Sequence, residues 1–355
     1  MTIGTSNKTP TQAERARPEE SSRPQPSLQQ QRNQAAENLP LGSRLLFYVM
    51  LVALHVVSLV PDFILLRIGA IGGLVAFWLD RRHVKIGLTN LAIAFPELSL
   101  AERQKILRAS YANLGRSVAD QIRLGGFFHR RILKRVCYDR PDYLSGILER
   151  QKERGLVVLT AHFGAFELGP PVHTMNGFQL SLVHHTQGFL AADALLTFIR
   201  ERAGIEVIRK HSAARAVLKL LKSGKTVAVP FDQNAKRSEA IFVPLFGEVA
   251  ATSSALARLV MISGSAVLPA FVVRDGSSNR HVIEIKDEIP IQRTADFEAD
   301  VEENTRRFVK AVEDIMRLHP EQSLWTHRRY RTRPRGMASV YQETGKRHRD
   351  FLAQG

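Results

Sequence analysis

Leu156-Val-Val-Leu-Thr-Ala-His162-Phe-Gly-Ala-Phe-Glu167-Leu-Gly169 is an apolar run that ends on a histidine, with a glutamate five positions later where a helix is expected to begin. The run has the length and composition of a buried strand. A histidine at a strand's end is held rigidly yet reaches into a cleft. An acid that bonds one ring nitrogen fixes the tautomer and leaves the other nitrogen as a general base. On this reading His162 acts directly on a substrate hydroxyl and Glu167 orients it, with no serine or cysteine nucleophile. The spacing by itself carries little weight. There are 12 histidines, and acids fill about a tenth of the chain, so roughly one such pair arises by chance. The same spacing also suits a histidine that packs at a helix start. The preceding strand, and glycines 164 and 169 around the Glu, favour the chemical reading; Gly164 permits close backbone approach.

From residue 156 the pattern alternates. Strands are expected at 156–161, 179–184, 226–231, 266–273 and 281–286. Helices are expected near 166–175, 190–203, 212–223, 252–263 and 297–318. Strands separated by helices imply an α/β fold with a mainly parallel sheet flanked by helices. In such sheets the ligand crevice lies at the carboxyl ends of the strands. His162 and Asp232 both fall at such ends.

Upstream, residues 1–40 are rich in Gln, Ser, Pro, Glu and Arg, lack an apolar stripe, and read as a disordered polar tail with no signal-peptide pattern. Residues 41–80 change character. Leu45 to Val60 is almost wholly apolar, Pro61-Asp62 breaks it, and Phe63 to Leu79 adds a second apolar stretch containing Arg67. The first stretch is shorter than the ~20 residues that span a bilayer comfortably. Two forms of membrane anchor fit, a short or tilted span and a helical hairpin within one leaflet; a soluble helix pair is the alternative. The basic run Asp80-Arg-Arg-His-Val-Lys85 follows, which the positive-inside rule places on the cytoplasmic side. Amphipathic helices are expected over 83–95 and 100–122, the second opening on a Ser99/Glu102 capping box, and another after Pro141. Residues 81–335 then form the catalytic domain, and 336–355 a basic tail.

The 355 residues are 44% hydrophobic, with one cysteine and a formal charge of +16. A single cysteine, Cys137, excludes an internal disulfide. The positive charge suits nucleic acid, an anionic membrane, or an acidic carrier with a phosphorylated substrate. No nucleic-acid-binding module or basic-aromatic platform is present. The densest basic cluster, His327 to Arg335, follows Trp325, as at a membrane interface.

Several blocks lie in a single order: Asn90-Leu-Ala-Ile-Ala-Phe-Pro-Glu97, then His162 to Glu167, then Phe231-Asp-Gln-Asn234. They continue with Phe242-Val-Pro-Leu-Phe-Gly247, Pro320-Glu-Gln-Ser-Leu-Trp325 and His327-Arg-Arg-Tyr-Arg-Thr-Arg-Pro334. From about residue 44 to 335 the chain resembles the bacterial lipid A biosynthesis (lauroyl/myristoyl-type) acyltransferases, within the glycerolipid acyltransferase superfamily. The resemblance implies transfer of a fatty acyl group from an acyl-carrier-protein or CoA thioester to a hydroxyl of a lipid A precursor at the bacterial inner membrane, on its cytoplasmic side. No covalent acyl-enzyme, metal or cofactor beyond the thioester is expected. It implies that His162 is the base, oriented by Glu167, and that an oxyanion donor lies on the helix 195–204, Arg202 in preference to Arg200. Gly164, Asp232 and Gln233 complete the expected substrate-binding set. Arg328 and Arg329 are candidate headgroup or carrier contacts, and Pro244–Gly247 with Thr252 a supporting loop and helix start. Two departures stand out: His184-His185-Thr186 replaces the family's usual Arg-Pro, and Asn234 replaces an acid. Other readings remain: an acyltransferase for another glycolipid or phospholipid, such as a phosphatidylinositol mannoside, or a catalytically inactive membrane-bound homologue. An α/β hydrolase is disfavoured, since Gly264-Ser-Ala lacks the Gly-x-Ser-x-Gly elbow.

Overall fold

The computed structural model describes residues 36–341 except 38, 152, 185–187 and 210–212. Most of the expected polar tail and residues 342–355 lie outside the described residues. Among the described residues seven strands form the main sheet: β1 (Val136–Tyr138), β2 (Leu156–Thr160), β3 (Leu180–His184), β4 (Glu206–Arg209), β5 (Thr226–Pro230), β8 (Ala266–Arg274) and β9 (His281–Ile285). Their order is β1-β9-β8-β2-β5-β3-β4. Every pairing is parallel except β8 with β9, so the expected α/β sheet is mainly parallel. The short edge strands β1 and β4 were not expected, having too few residues for a period to register.

A separate antiparallel hairpin, β6 (Ala240–Leu245) and β7 (Glu248–Ser253), replaces the expected loop and helix start. Thr252 therefore lies in a strand and caps no helix; the next helix begins at Ala255. The hairpin closes through Phe246 and Gly247, both with positive φ (53° and 78°), as a tight two-residue turn requires.

The helices are α1 (Leu41–Val57), α2 (Asp62–Leu79), α3 (Arg81–Ala94), α4 (Leu100–Gly125), α5 (His129–Leu133), α6 (Pro141–Arg150), α7 (Gly169–Met175), α8 (Leu190–Arg202), α9 (Ala213–Lys222), α10 (Ala255–Ser263) and α11 (Phe297–Leu318). Alternation along the strands divides the core. Val157, Leu159, Val227 and Val267 pack with residues of α9, α10 and α11. Leu156, Leu268, Ile283 and Ile285 pack with α1, α6 and α8. α4 opens on the expected capping box: Ser99 accepts from the Glu102 amide and Glu102 accepts from the Ser99 amide.

α4 links the hydrophobic N-terminal helices to the catalytic strand. Ser117 Oγ donates to the Gly164 carbonyl (2.8 Å), Ser110 Oγ to the Ser323 carbonyl (2.6 Å), and Asn113 Nδ2 to the Glu321 carbonyl (2.9 Å). On its other side α4 receives α2. α2 is also the one helix among the described residues that is long and apolar enough, by length and composition, to cross a membrane.

Candidate active site

Parallel register builds the centre. Thr160 of β2 pairs with Pro230 of β5, so the residues two positions beyond each, His162 and Asp232, leave the sheet side by side. The His162 Nδ1 and Asp232 Oδ1 are 2.9 Å apart, and the Phe166 ring meets the imidazole edge-on. With Nδ1 donating to the carboxylate, Nε2 carries the lone pair. Gln233 Nε2 lies 3.4 Å from it on an exposed side chain. Burial pulls the His162 pKa down, but the Asp232 charge and hydrogen bond, assisted by Glu167, more than offset this and leave it above its ordinary value. Burial pushes Asp232 up, and His162 together with backbone hydrogen bonds holds it below the usual carboxylate range.

Glu167 does not make the hydrogen bond expected of it. It sits in a short 3₁₀ turn, Phe166–Leu168, and its carboxylate takes a two-point contact from Arg200: Nε to Oε2 at 3.1 Å and Nη2 to Oε1 at 2.5 Å. Both residues are buried. The two candidate arginines on α8 meet different partners. Arg202 Nη1 donates to the Gly125 carbonyl at the end of α4 (2.8 Å), whereas Arg200 is close enough for its charge to act on His162.

Gly164 is held tightly between β8 and the C-terminal strap. Its φ is +55°, its amide donates to the Gln322 carbonyl, and a Cβ there would lie 2.0 Å from the Val272 carbonyl oxygen. It lets the loop carrying His162 pass against β8.

The C-terminal strap supplies groups that sequence reasoning left without a role. The His327 Nε2 accepts from the Asn234 amide (3.0 Å), and burial keeps this imidazole's pKa below its ordinary value despite the pull of Asp232. His327 lines the same cleft as His162 and Asp232. The only hint in the sequence was its place at the head of the His327–Pro334 stretch. Asn234 also accepts from the Thr332 amide and donates to its hydroxyl, a pattern that uses both ends of its amide. Asn90 acts as a bolt: Nδ2 donates to the Trp325 and His327 carbonyls, and Oδ1 accepts from Tyr341.

Arg329 was expected to face a headgroup or carrier. It is instead buried, donating to the Ala251 carbonyl and the Thr252 hydroxyl, both at 2.6 Å. Arg328 stacks over Tyr341. Arg333 is tied to Val249 and Glu248, which leaves Arg331 and Arg335 as the exposed cations of the cluster. Residues 185–187, and with them most of the His184-His185-Thr186 departure, lie outside the described residues.

Beside His162 the cleft is apolar, walled by Phe231, Leu245, Phe246, Val309, Val312, Met316 and Trp325. Phe246 is placed there by its positive-φ turn, where it packs on Phe95 and Trp325. Such a conformation is uncommon for a bulky side chain. Among the described residues no group of three or more His, Cys, Asp or Glu side chains is arranged to hold a metal ion.

The profile of the bacterial lipid A biosynthesis acyltransferase family matches residues 34–332. The chain is 27% identical over 292 residues to the lipid A biosynthesis lauroyltransferase of Escherichia coli (strain K12), covering 81% of this chain and 92% of that one. It is 28% identical to the palmitoleoyltransferase of the same strain (76% and 86%) and 25% identical to the myristoyltransferase (79% and 84%).

Proposed function

The chain belongs to the bacterial lipid A biosynthesis acyltransferase family and is an acyltransferase; we propose that it moves a fatty acyl chain from an acyl-carrier-protein or CoA thioester directly onto a hydroxyl of a lipid A precursor, at the inner membrane. The observation that carries this reading is the 2.9 Å His162–Asp232 pair opening onto the apolar cleft. His162 Nε2 takes the hydroxyl proton as the oxygen attacks the thioester carbonyl. Asp232 holds the tautomer and stabilises the imidazolium. Arg200, fixed by Glu167, is the nearby buried cation that offsets the developing oxyanion. Collapse breaks the C–S bond, and the thiolate leaves with the proton carried by His162. A thioester already has a good leaving group, so no acyl-enzyme is needed. The aromatic and aliphatic walls receive the acyl chain.

The test is transfer to a lipid A precursor by the purified membrane enzyme with each thioester donor. His162→Ala should abolish it. Mass spectrometry of lipid A from cells with and without the protein should differ by one acyl chain. Wild-type transfer by His162→Ala, or identical lipid A in the two cell lines, would refute the reading.

A further inference from the structure

Both N-terminal helices present an apolar face to the outside. Leu45, Val49 and Val52 on α1 and Ile68, Ile71 and Trp78 on α2 are all exposed. α2 has 18 residues, or about 27 Å at the rise of an α-helix, and so is long enough to cross a bilayer core. Its opposite face is already occupied. α2 runs antiparallel along α4, and glycines let the backbones touch: a Cβ on Gly115 would lie 1.9 Å from the Gly69 carbonyl oxygen, and one on Gly73 would lie 2.0 Å from that of Tyr111. Gly69 and Gly73 form a Gly-x3-Gly stripe, and its partner is the catalytic body itself.

Both ends of α2 are tied down as well. Asp62 at its start pairs with Arg123 at the end of α4 (2.7 Å) and with Arg135, and Arg123 also donates to the Ser58 and Val60 carbonyls of the α1–α2 turn. At the other end Phe77 meets the Tyr111 ring edge-on, and Arg108 lies over Phe77 and Trp78. α1 is held in turn by Phe47 against Phe198 of α8.

A crossing α2 would therefore carry α4 into the hydrocarbon. α4 brings Asp120, buried against Arg274, and Arg123, and through Ser117 and Ser110 it brings the His162 loop and the C-terminal strap. Buried charge at the bilayer centre costs several kcal/mol per group. A helix lying in the interface inserts only about 5–10 Å and costs none of this. The surrounding charge fits that placement: Arg44, Arg67, Arg81, Arg82 and Lys85 are exposed on or next to these helices, as an anionic leaflet requires.

We infer that α1 and α2 lie within one leaflet on the face that carries the catalytic body, and that neither crosses the bilayer. The inference rests on the membrane location proposed above, and the experiment separates the two. In a Cys137→Ser background, Leu59→Cys in the α1–α2 turn, Leu79→Cys at the end of α2 and Glu302→Cys on α11 are each treated with a membrane-impermeant maleimide. Intact spheroplasts and inverted inner-membrane vesicles are compared, with detergent-opened membranes as the total. The expected result is complete loss of labelling at all three positions from whichever face leaves Glu302→Cys unlabelled. Labelling of Leu59→Cys from the face opposite Glu302→Cys would show that the helices cross and overturn the inference. Recovery of the protein in the supernatant after lysis in ordinary buffer, with none sedimenting with the membranes, would remove the membrane location itself, and the inference with it. As a second readout, Ile71→Trp in a Trp78→Phe background should be quenched by lipids brominated near the headgroup. Strongest quenching by lipids brominated near the chain ends would place α2 at the bilayer centre and also overturn the inference.

Discussion

Asp232 lifts the pKa of His162 above its ordinary value while burial and Arg200 pull it down, so the pH dependence of the enzyme has a defined sign. As the proposed base, His162 must be neutral, and that form is lost as pH falls through a value above ~6.5, the unperturbed imidazole pKa. Asp232→Asn removes the main lifting charge and leaves burial and Arg200 opposed by Glu167 alone. The acidic limb of kcat/KM should then move to lower pH, and the plateau should fall by about 10²–10⁴-fold, the usual worth of positioned acid–base catalysis. A pH–rate profile checks both; an unmoved limb with a wild-type plateau would reassign the partner. Phe246 sets a second residue-scale expectation. Its ring walls the cleft from a strained turn, and Phe246→Ala keeps the backbone while removing the wall. Donor preference should shift toward longer chains, by about fourfold per methylene newly accommodated, since each buried CH₂ is worth about 0.8 kcal/mol. Competition between donors of graded length, read by product mass, tests this.

At the scale of elements, the loop between β2 and α7 is held by contacts that leave no room at Gly164. Gly164→Ala combines a left-handed φ with a Cβ 2.0 Å from the Val272 oxygen. Overpacking of this kind costs about 1–3 kcal/mol. We expect a lowered Tm together with a large fall in kcat, because the same loop aims His162. His162→Ala should lose activity with a smaller fall in Tm, since that ring is partly exposed while Asp232 loses a hydrogen-bond partner. An unchanged Tm in Gly164→Ala would mean that the loop yields more easily than its contacts imply.

For the whole molecule, the net charge of +16 is less available than its size suggests, because part of it is structural. Arg329 is buried and supports β7, whereas Arg331 and Arg335 are exposed. Arg329→Gln should therefore destabilise the fold by about 1–3 kcal/mol, the cost of leaving buried polar partners unpaired. The double substitution Arg331→Gln and Arg335→Gln should leave the Tm unchanged, raise KM at low salt and flatten its salt dependence, since exposed charges act over roughly a Debye length. Thermal melts and KM against ionic strength distinguish the two. An unaltered salt profile in the double variant would make these two cations bystanders.

Much of this was legible in the chain. The buried run 156–160, the β-α alternation, the Ser99 capping box and the break at Pro61-Asp62 are local patterns, and local patterns survive folding. The importance of Asn90 and of the strap from 320 to 334 was visible only as a set of blocks, because their hydrogen bonds join residues more than two hundred positions apart. The hairpin β6–β7 was hidden because Thr252, in its second strand, reads as a helix cap. The partnerships at the centre depended on tertiary structure. Glu167 is near His162 in sequence, but the 3₁₀ turn aims it at Arg200, and the register of β5 against β2 brings Asp232 to the imidazole instead. Arg200 and Arg202 lie about 200° apart around one helix, so only one of them can face the centre. The sequence by itself determined that a strand-end histidine, an acid and an arginine were present. Which acid bonded the histidine, and which arginine bonded Glu167, was decided by strand register and helix rotation, quantities that exist only once distant segments have packed.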